Sequence, residues 1–290
     1  DPSTVNSAVQ FSIVYGNSLG SGSIPFNTLV PYYTPTKSTY FQYRSLVYAD
    51  PTKYFNFGGL ATSSADIFVL SIDRNRYKES LFPGTFNLTI QNGGSVLYLT
   101  DNSNDATTIN YLDCGRVFDI VSGAYGTAQS TPTLGAGITK GYTASGSYGM
   151  YLPDIGTIIL NPSALGLSFA SGGIGLSIYQ ANDSVLKNET TLYTYMSSSS
   201  NFMLNSQETI SSDYVFVRIK NGEYNYTSNP SFVSGSGNLL YSNYIYNPQT
   251  YITTVGMYND NNELVAVAKL SKPLVKDFTK EALLRVKLDW

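Results

Sequence analysis

The sequence predicts a mainly β protein: an antiparallel, sandwich-like fold with long ordered loops and few short helices. Three observations carry this. Short runs rich in β-branched and aromatic residues recur along the chain, several alternating with the period of two expected of a strand with one buried face. Turn residues (Gly, Pro, Asn, Asp) separate them at short spacing. Helical periodicity is scarce.

The strand runs are Ser12–Tyr15, Ala65–Ile72, Thr85–Ile90, Val96–Thr100, Thr157–Leu160, Tyr214–Ile219, Tyr251–Val255 and Leu264–Ala268. Gln91-Asn-Gly-Gly94 between two runs reads as a hairpin turn, as does Asn259-Asp-Asn-Asn262 between Tyr251–Tyr258 and Glu263–Leu270. Three segments read as helical: Ser71–Ser80, Asp277–Leu284, and Asn161-Pro-Ser-Ala-Leu165, where Asn161 is placed to cap and Pro162 to open the first turn. No long-period repeat is visible, which argues against solenoids and propellers.

Composition divides the chain into zones. Residues 1–120 and 210–290 are strand-rich, and 121–209 are rich in Gly, Ser and Tyr. The expectation is one elaborated β domain over 1–290, or two closely packed subdomains (about 1–120 plus 210–290 as the strand-rich part, 121–209 as loops and short elements). The apolar groups of the middle zone, including Tyr148, Tyr151 and Ile158, imply loops docked on strands rather than a free linker. The start carries no secretory pattern and no initiator Met, as expected of a polypeptide that is processed, trimmed or cut from a longer one.

Composition also bounds the chemistry. The 290 residues include no histidine, one cysteine, one tryptophan and 25 tyrosines, and only 13% are charged. Histidine is the usual proton-transfer group near neutral pH and the commonest metal ligand. Its absence removes most hydrolase triads and most transition-metal sites. The net charge of −3 favours neither nucleic acid nor an anionic membrane, and no apolar run is long enough to span a bilayer. A single Cys114 forms no internal disulfide and reads as a buried structural thiol. No cofactor is expected.

The motifs that do not need histidine are incomplete. Asp101-Asn-Ser-Asn-Asp105 begins like a calcium loop, but Ala106 replaces the turn glycine and Leu112 the closing glutamate, so it reads as a solvated turn. Gly135-Ala-Gly-Ile-Thr-Lys-Gly141 matches neither phosphate-binding pattern. The carboxylates closest in sequence near strands, Asp66 with Asp73 and Asp113 with Asp119, are the only candidates for glycosidase work and read as capping or solvated groups. Arg74-Asn-Arg76-Tyr-Lys78 reads as a charge rim facing an acidic partner.

Tyrosine enrichment is the broadest signal, because Tyr is amphipathic and loses little rotamer freedom on burial. Pro31-Tyr-Tyr33, Tyr40-Phe-Gln-Tyr43 and Tyr241-Ser-Asn-Tyr-Ile-Tyr246 read as contact patches, with packing on a sheet face as the competing reading. Six of the 17 basic residues lie in the last 28 positions. The assembly contacts expected are therefore Tyr32, Tyr33, Tyr40, Tyr43, Tyr244 and Tyr246, with Lys269, Lys272 and Lys276 docking on an acidic partner. No catalytic, cofactor or metal residue is expected.

The C-terminal segment Tyr251-Ile-Thr-Thr-Val-Gly-Met-Tyr258, its Asn/Asp turn, and Leu264-Val-Ala-Val-Ala-Lys-Leu270 resembles virion structural proteins of contractile-tailed bacteriophages, especially those infecting marine cyanobacteria. With Leu283-Leu-Arg-Val-Lys-Leu288 it is also similar to the baseplate-attachment domain of some tail fibres. Ala65–Glu79, Tyr148–Leu160 and Phe216–Tyr226 extend the similarity over much of the chain. The resemblance implies a structural subunit, located in the virion and assembled in the host cytoplasm, in the baseplate or at a fibre attachment point. It implies partners that are other virion proteins and copies of itself, and no catalytic residues. The alternatives are a carbohydrate-binding receptor module for a host surface glycan, which requires a concave cluster of exposed aromatics flanked by Asn, Asp or Gln; a capsid or neck protein; and a polysaccharide-cleaving tail enzyme.

Overall fold

The computed structural model describes residues 8–30, 32–58, 63–129, 140–199, 201–227 and 229–290. The chain divides into two compact units, Asp1–Glu208 and Thr209–Trp290.

The first unit is built on a curled antiparallel sheet of ten strands. Its main path runs β1 (Phe11–Asn17), β2 (Asp66–Ile72), β10 (Thr157–Leu160), β9 (Gly149–Leu152), β7 (Gly115–Ala124), β5 (Ser95–Asp101), β4 (Asn87–Asn92) and β11 (Phe202–Met203). Short strands β6 (Asn110–Leu112) and β8 (Thr127–Ala128) both pair with β7, while β3 (Ser80–Leu81) pairs separately with β12 (Ser206–Gln207).

The central strands β2, β9 and β10 read as continuous apolar runs because both of their faces are covered. Ile67 and Val69 of β2, Ile159 of β10, and Met150 and Leu152 of β9 point to one core. That core is completed by Tyr40, Val47 and Tyr48 of helix α1 (Pro35–Tyr48) together with Phe55 and Phe57. Phe68, Leu70, Ile158, Leu160 and Tyr151 point to the other, larger core. There the sheet curls over, so that Leu88, Ile90, Leu97 and Leu99 of β4 and β5 share one cluster with β2 and β10. Helices α2 (Pro162–Leu165) and α3 (Lys187–Ser197) add Ala164, Leu165, Leu192 and Met196. Each fully buried aliphatic or Phe side chain contributes about 1.5–3 kcal/mol. The curl brings the two end strands together: the rings of Phe11 and Phe202 meet edge to face at 5.0 Å. Glu189 of α3 reaches the outer edge of β1, where its carboxylate accepts the Tyr15 N–H at 3.0 Å.

The mainly β architecture and all eight strand runs are present, as are both hairpins and the capped helix at Asn161, whose side chain accepts the Ser163 N–H. Three readings are corrected. Ser71–Ser80 is the end of β2, a single 3-10 turn at Arg74–Arg76 and the start of β3. The Asp73 carboxylate takes the Asn75 N–H, and the Arg74 guanidinium binds the carbonyls of Tyr77 and Lys78, which holds the chain in a tight turn. Asp277–Leu284 is a turn followed by a strand, because alternate apolar residues from Ala282 onward pair across to a partner strand. Tyr40-Phe-Gln-Tyr43 lies on α1, which starts at Thr34-Pro35 with the Thr34 hydroxyl accepting the Lys37 N–H and ends where Ala49 turns left-handed. The Gly/Ser/Tyr-rich middle zone supplies β9 beside the expected β10, both short central strands.

The second unit consists of two ribbons and a short helix: β13 (Ser212–Ile219) pairs with β16 (Ala282–Asp289), β14 (Thr250–Tyr258) pairs with β15 (Leu264–Lys276), and α4 (Ser242–Tyr246) precedes β14. Neither core cluster includes any of its residues, and Ile219 is its one buried hydrophobic among the described residues.

Candidate functional site

The expected contact residues separate sharply by burial. Tyr32 and Tyr33 are exposed. Tyr40 is not available for contacts: it is fully buried, its ring meets Phe55 at 5.3 Å, and its hydroxyl donates to the Ser64 carbonyl at 2.7 Å. Burial pushes that hydroxyl up to about 12. Tyr43 is half-buried against the same core. The helix turns these tyrosines inward, which a strand reading of the segment misses. Tyr244 is half-buried, with its hydroxyl on the Asn225 carbonyl at 2.9 Å, and Tyr246 beside it is exposed. Lys269 and Lys272 are exposed, but Lys276 is fully buried and so docks on no acidic partner.

Charged groups of the first unit are spent inside it. Asp101 is fully buried, and its carboxylate accepts the N–H groups of Gly84 and Ser103. Asp105 takes the Ala128 N–H at 2.5 Å and pairs with Lys140. The oxygens that resemble a calcium loop thus tie turns together, and among the described residues no group of three His, Cys, Asp or Glu is placed to hold a metal ion. Most of Gly135–Gly141 lies outside the described residues. Asp66 and Asp73 sit at opposite ends of β2, about 20 Å apart at strand rise, against about 5–10 Å in glycosidases. Asp66 accepts from Tyr15 and Asn17 instead, and burial followed by the Asp66 carboxylate pushes the Tyr15 hydroxyl far above its ordinary range. Asp119 lies in mid-β7 and takes the Tyr142 hydroxyl at 2.6 Å, while Asp113 opens the turn before that strand. Burial raises the Asp119 carboxyl. Cys114 is half-buried and in no disulfide, and burial raises its thiol. The basic cluster Arg74–Lys78 is also engaged within the unit: Arg76 binds the Val9 carbonyl at 3.1 Å and Lys78 pairs with Glu208.

What remains open is aromatic and aliphatic surface. In the second unit the exposed face of β13–β16 carries Tyr214, Phe216 and Leu283 beside Arg218, Arg285 and Lys287. The exposed side of β14–β15 carries Tyr251, Tyr258, Leu264, Val265 and Val267 with Lys269. The opposite faces are almost wholly aliphatic (Val215, Val217, Leu284, Val286; Ile252, Val255, Met257, Ala268) and half-buried.

Two hollows stand out. One, of about 530 Å³, lies between the end strands of the curled sheet and is lined by Phe11, Ile72, Leu81, Met196, Phe202 and Leu204, with Gln10, Arg76 and Asn201 among its polar members. The other, of about 550 Å³, belongs to the second unit and is lined by Tyr224, Tyr226, Tyr244 and Phe278 with Gly222, Asn225, Leu239, Ile245 and Pro248. Sequence reasoning gave no role to Tyr224, Tyr226 or Phe278. The Asn221-Gly222 turn followed by Tyr-Asn-Tyr was the available signal, since such a turn projects nearby side chains outward. No protein family, characterised protein or solved structure matches this chain.

Proposed function

We propose that this chain is a structural subunit of a bacteriophage particle, in the tail baseplate or at a fibre attachment point, acting through permanent contacts with copies of itself and with other virion proteins. One observation carries the reading: Thr209–Trp290 has strands but, among the described residues, no core of its own. An isolated two-stranded ribbon is marginal in water, and ordering each residue costs about 1–2 kcal/mol in backbone entropy alone. A single buried isoleucine does not offset that. Partner chains do, and the surface for them is present. Seven aromatic residues among the described residues of the unit (Tyr214, Phe216, Tyr241, Tyr246, Tyr251, Tyr258 and Trp290) are more than half exposed and stand outside its hollow. With about 150–250 Å² to bury per aromatic side chain, their exposed parts offer on the order of 800 Å², the area each partner contributes to a stable interface. Acidic and basic side chains nearly balance in this unit, so no net repulsion opposes association of identical copies. The phage resemblance of Tyr251–Leu270 supplies the setting.

Mass spectrometry of purified tailed-phage particles tests the setting, and sedimentation of the purified chain tests the association. The expected results are a fixed copy number per particle and a concentration-dependent oligomer. A stable monomer at every concentration, absent from particles, overturns the reading.

A further inference from the structure

The hollow in the second unit has three properties that together specify a ligand. Its wall is aromatic and open: Tyr224 is 71%, Tyr226 60% and Phe278 57% exposed. Its lining contains no charged side chain. Its backbone is fixed by a buried ammonium. Lys276, with 0% exposure, donates from Nζ to the Asn221 carbonyl at 2.8 Å, Asn225 Oδ1 at 2.9 Å and the Asp277 carbonyl at 3.0 Å. Three donors thus meet three neutral oxygens, without the carboxylate that usually accompanies a buried lysine. Asn225 Nδ2 closes the loop onto the Asn221 carbonyl at 2.7 Å, and the Tyr244 hydroxyl and Thr250 Oγ1 hold the carbonyls of Asn225 and Tyr224. Tyr224 itself is held at φ 53°, a left-handed conformation that strains a bulky side chain. The loop therefore spends a buried charge and a strained residue on presenting two tyrosines outward.

Rings around an uncharged hollow of this size suit a compact, neutral, amphipathic ligand. A pyranose ring has that character: C–H groups on its faces pack on aromatic rings, and hydroxyls on its rim meet tyrosine hydroxyls and backbone groups. A charged ligand finds no counter-charge in the lining. A proline-rich peptide also packs on aromatics but needs an extended groove, whereas here the rings come from a loop, a helix and a turn that share one hollow.

We propose that this hollow is a carbohydrate site that takes one neutral pyranose ring, with Tyr224, Tyr226 and Phe278 as stacking platforms and Lys276 as the residue that positions the loop. The site is additional to the assembly role. A chain that assembles but binds no sugar defeats the site alone, and a chain that binds sugar but is absent from particles defeats the assembly role alone.

The test uses the full chain, with methyl glycosides of glucose, galactose, mannose and N-acetylglucosamine in saturation-transfer NMR, followed by a glycan array. At least one neutral glycoside is expected to receive saturation. Tyr224→Ala and Tyr226→Ala are each expected to weaken binding about tenfold or more. Tyr224→Phe, which keeps the ring and the fold, should weaken it by a smaller factor, and Tyr246→Ala, outside the hollow, should leave it unchanged. Binding of no glycoside and no array glycan overturns the proposal. So does binding by both alanine variants as tight as that of the unsubstituted chain, or binding of a proline-rich peptide with no sugar bound.

Discussion

Gly115 and Asp154 show how one side chain depends on the absence of another. Gly115 sits at φ +113°, and a Cβ there would lie 2.5 Å from Asp154 Oδ2. The space it leaves lets the Asp154 carboxylate accept the Arg116 N–H at 2.7 Å and the Arg116 guanidinium at 2.5 and 3.0 Å, while Arg116 Nη2 also reaches Ser80 Oγ at 3.1 Å. One ion pair thereby ties β7, the 3-10 turn at Pro153–Ile155 and β3 together. Burial raises the Asp154 carboxyl, but the hydrogen bonds from Arg116 outweigh it and hold the carboxyl below its ordinary value. A depressed folded pKa means that the stabilisation is complete above about pH 4 and drains away as pH falls through the folded value. Asp154→Asn is expected to cost about 1.5–3 kcal/mol at pH 7 and markedly less at pH 3, read from urea midpoints at the two pH values. Nothing in the sequence announces this pair, because its partners are 38 residues apart and meet only through sheet pairing.

At the scale of elements, periodicity and residue type picked out eight strand runs but missed β7 and β9, and the two false helices have a common cause. Ser71–Ser80 and Asp277–Leu284 carry good helix formers, yet Asp73 and Asp277 use their carboxylates on backbone N–H groups two residues on and make turns instead. Helix α1 is built from Tyr, Thr, Ser and Phe, poor helix formers, and exists because Tyr40, Val47 and Tyr48 pack on β2, β9 and β10. The central strand β10 bears load on both faces. Ile159→Ala is expected to cost about 2–5 kcal/mol, whereas Val265→Thr on exposed β15 is expected to stay within about 0.5 kcal/mol in the free chain. Thermal melts of both variants check the contrast. No helix among the described residues is long and apolar enough to cross a membrane.

At the scale of the molecule, the two units differ in how they can be stable. Asp1–Glu208 has two cores on the two faces of one sheet, and the described residues of Thr209–Trp290 form none. Hydrogen exchange on the dilute full chain is therefore expected to show slow amides in β2, β9 and β10 and exchange at least a hundredfold faster in β13–β16 and β14–β15. Raising the concentration until copies associate should slow the second group only. Equal protection of both groups in dilute solution contradicts the assignment of the second unit as an assembly element. The aromatic hollow lies in that unit, where burying Lys276 gives the loop a local rigidity that a hydrophobic core does not supply.

By itself, the sequence determined eight strand runs, both hairpins, the mainly β class and the lack of histidine chemistry. These follow from local side-chain period, turn geometry and residue inventory. Tertiary structure decided which tyrosines are surface. It turned Tyr40 and Tyr43 toward the core while leaving Tyr32 and Tyr33 exposed, and it buried Lys276 while leaving Lys269 and Lys272 in solvent. It also gathered Tyr224, Tyr226, Tyr244 and Phe278 around one hollow. The physical reason is that an amphipathic side chain such as tyrosine has nearly the same propensity on either side of a surface, so its place is set by what packs against it.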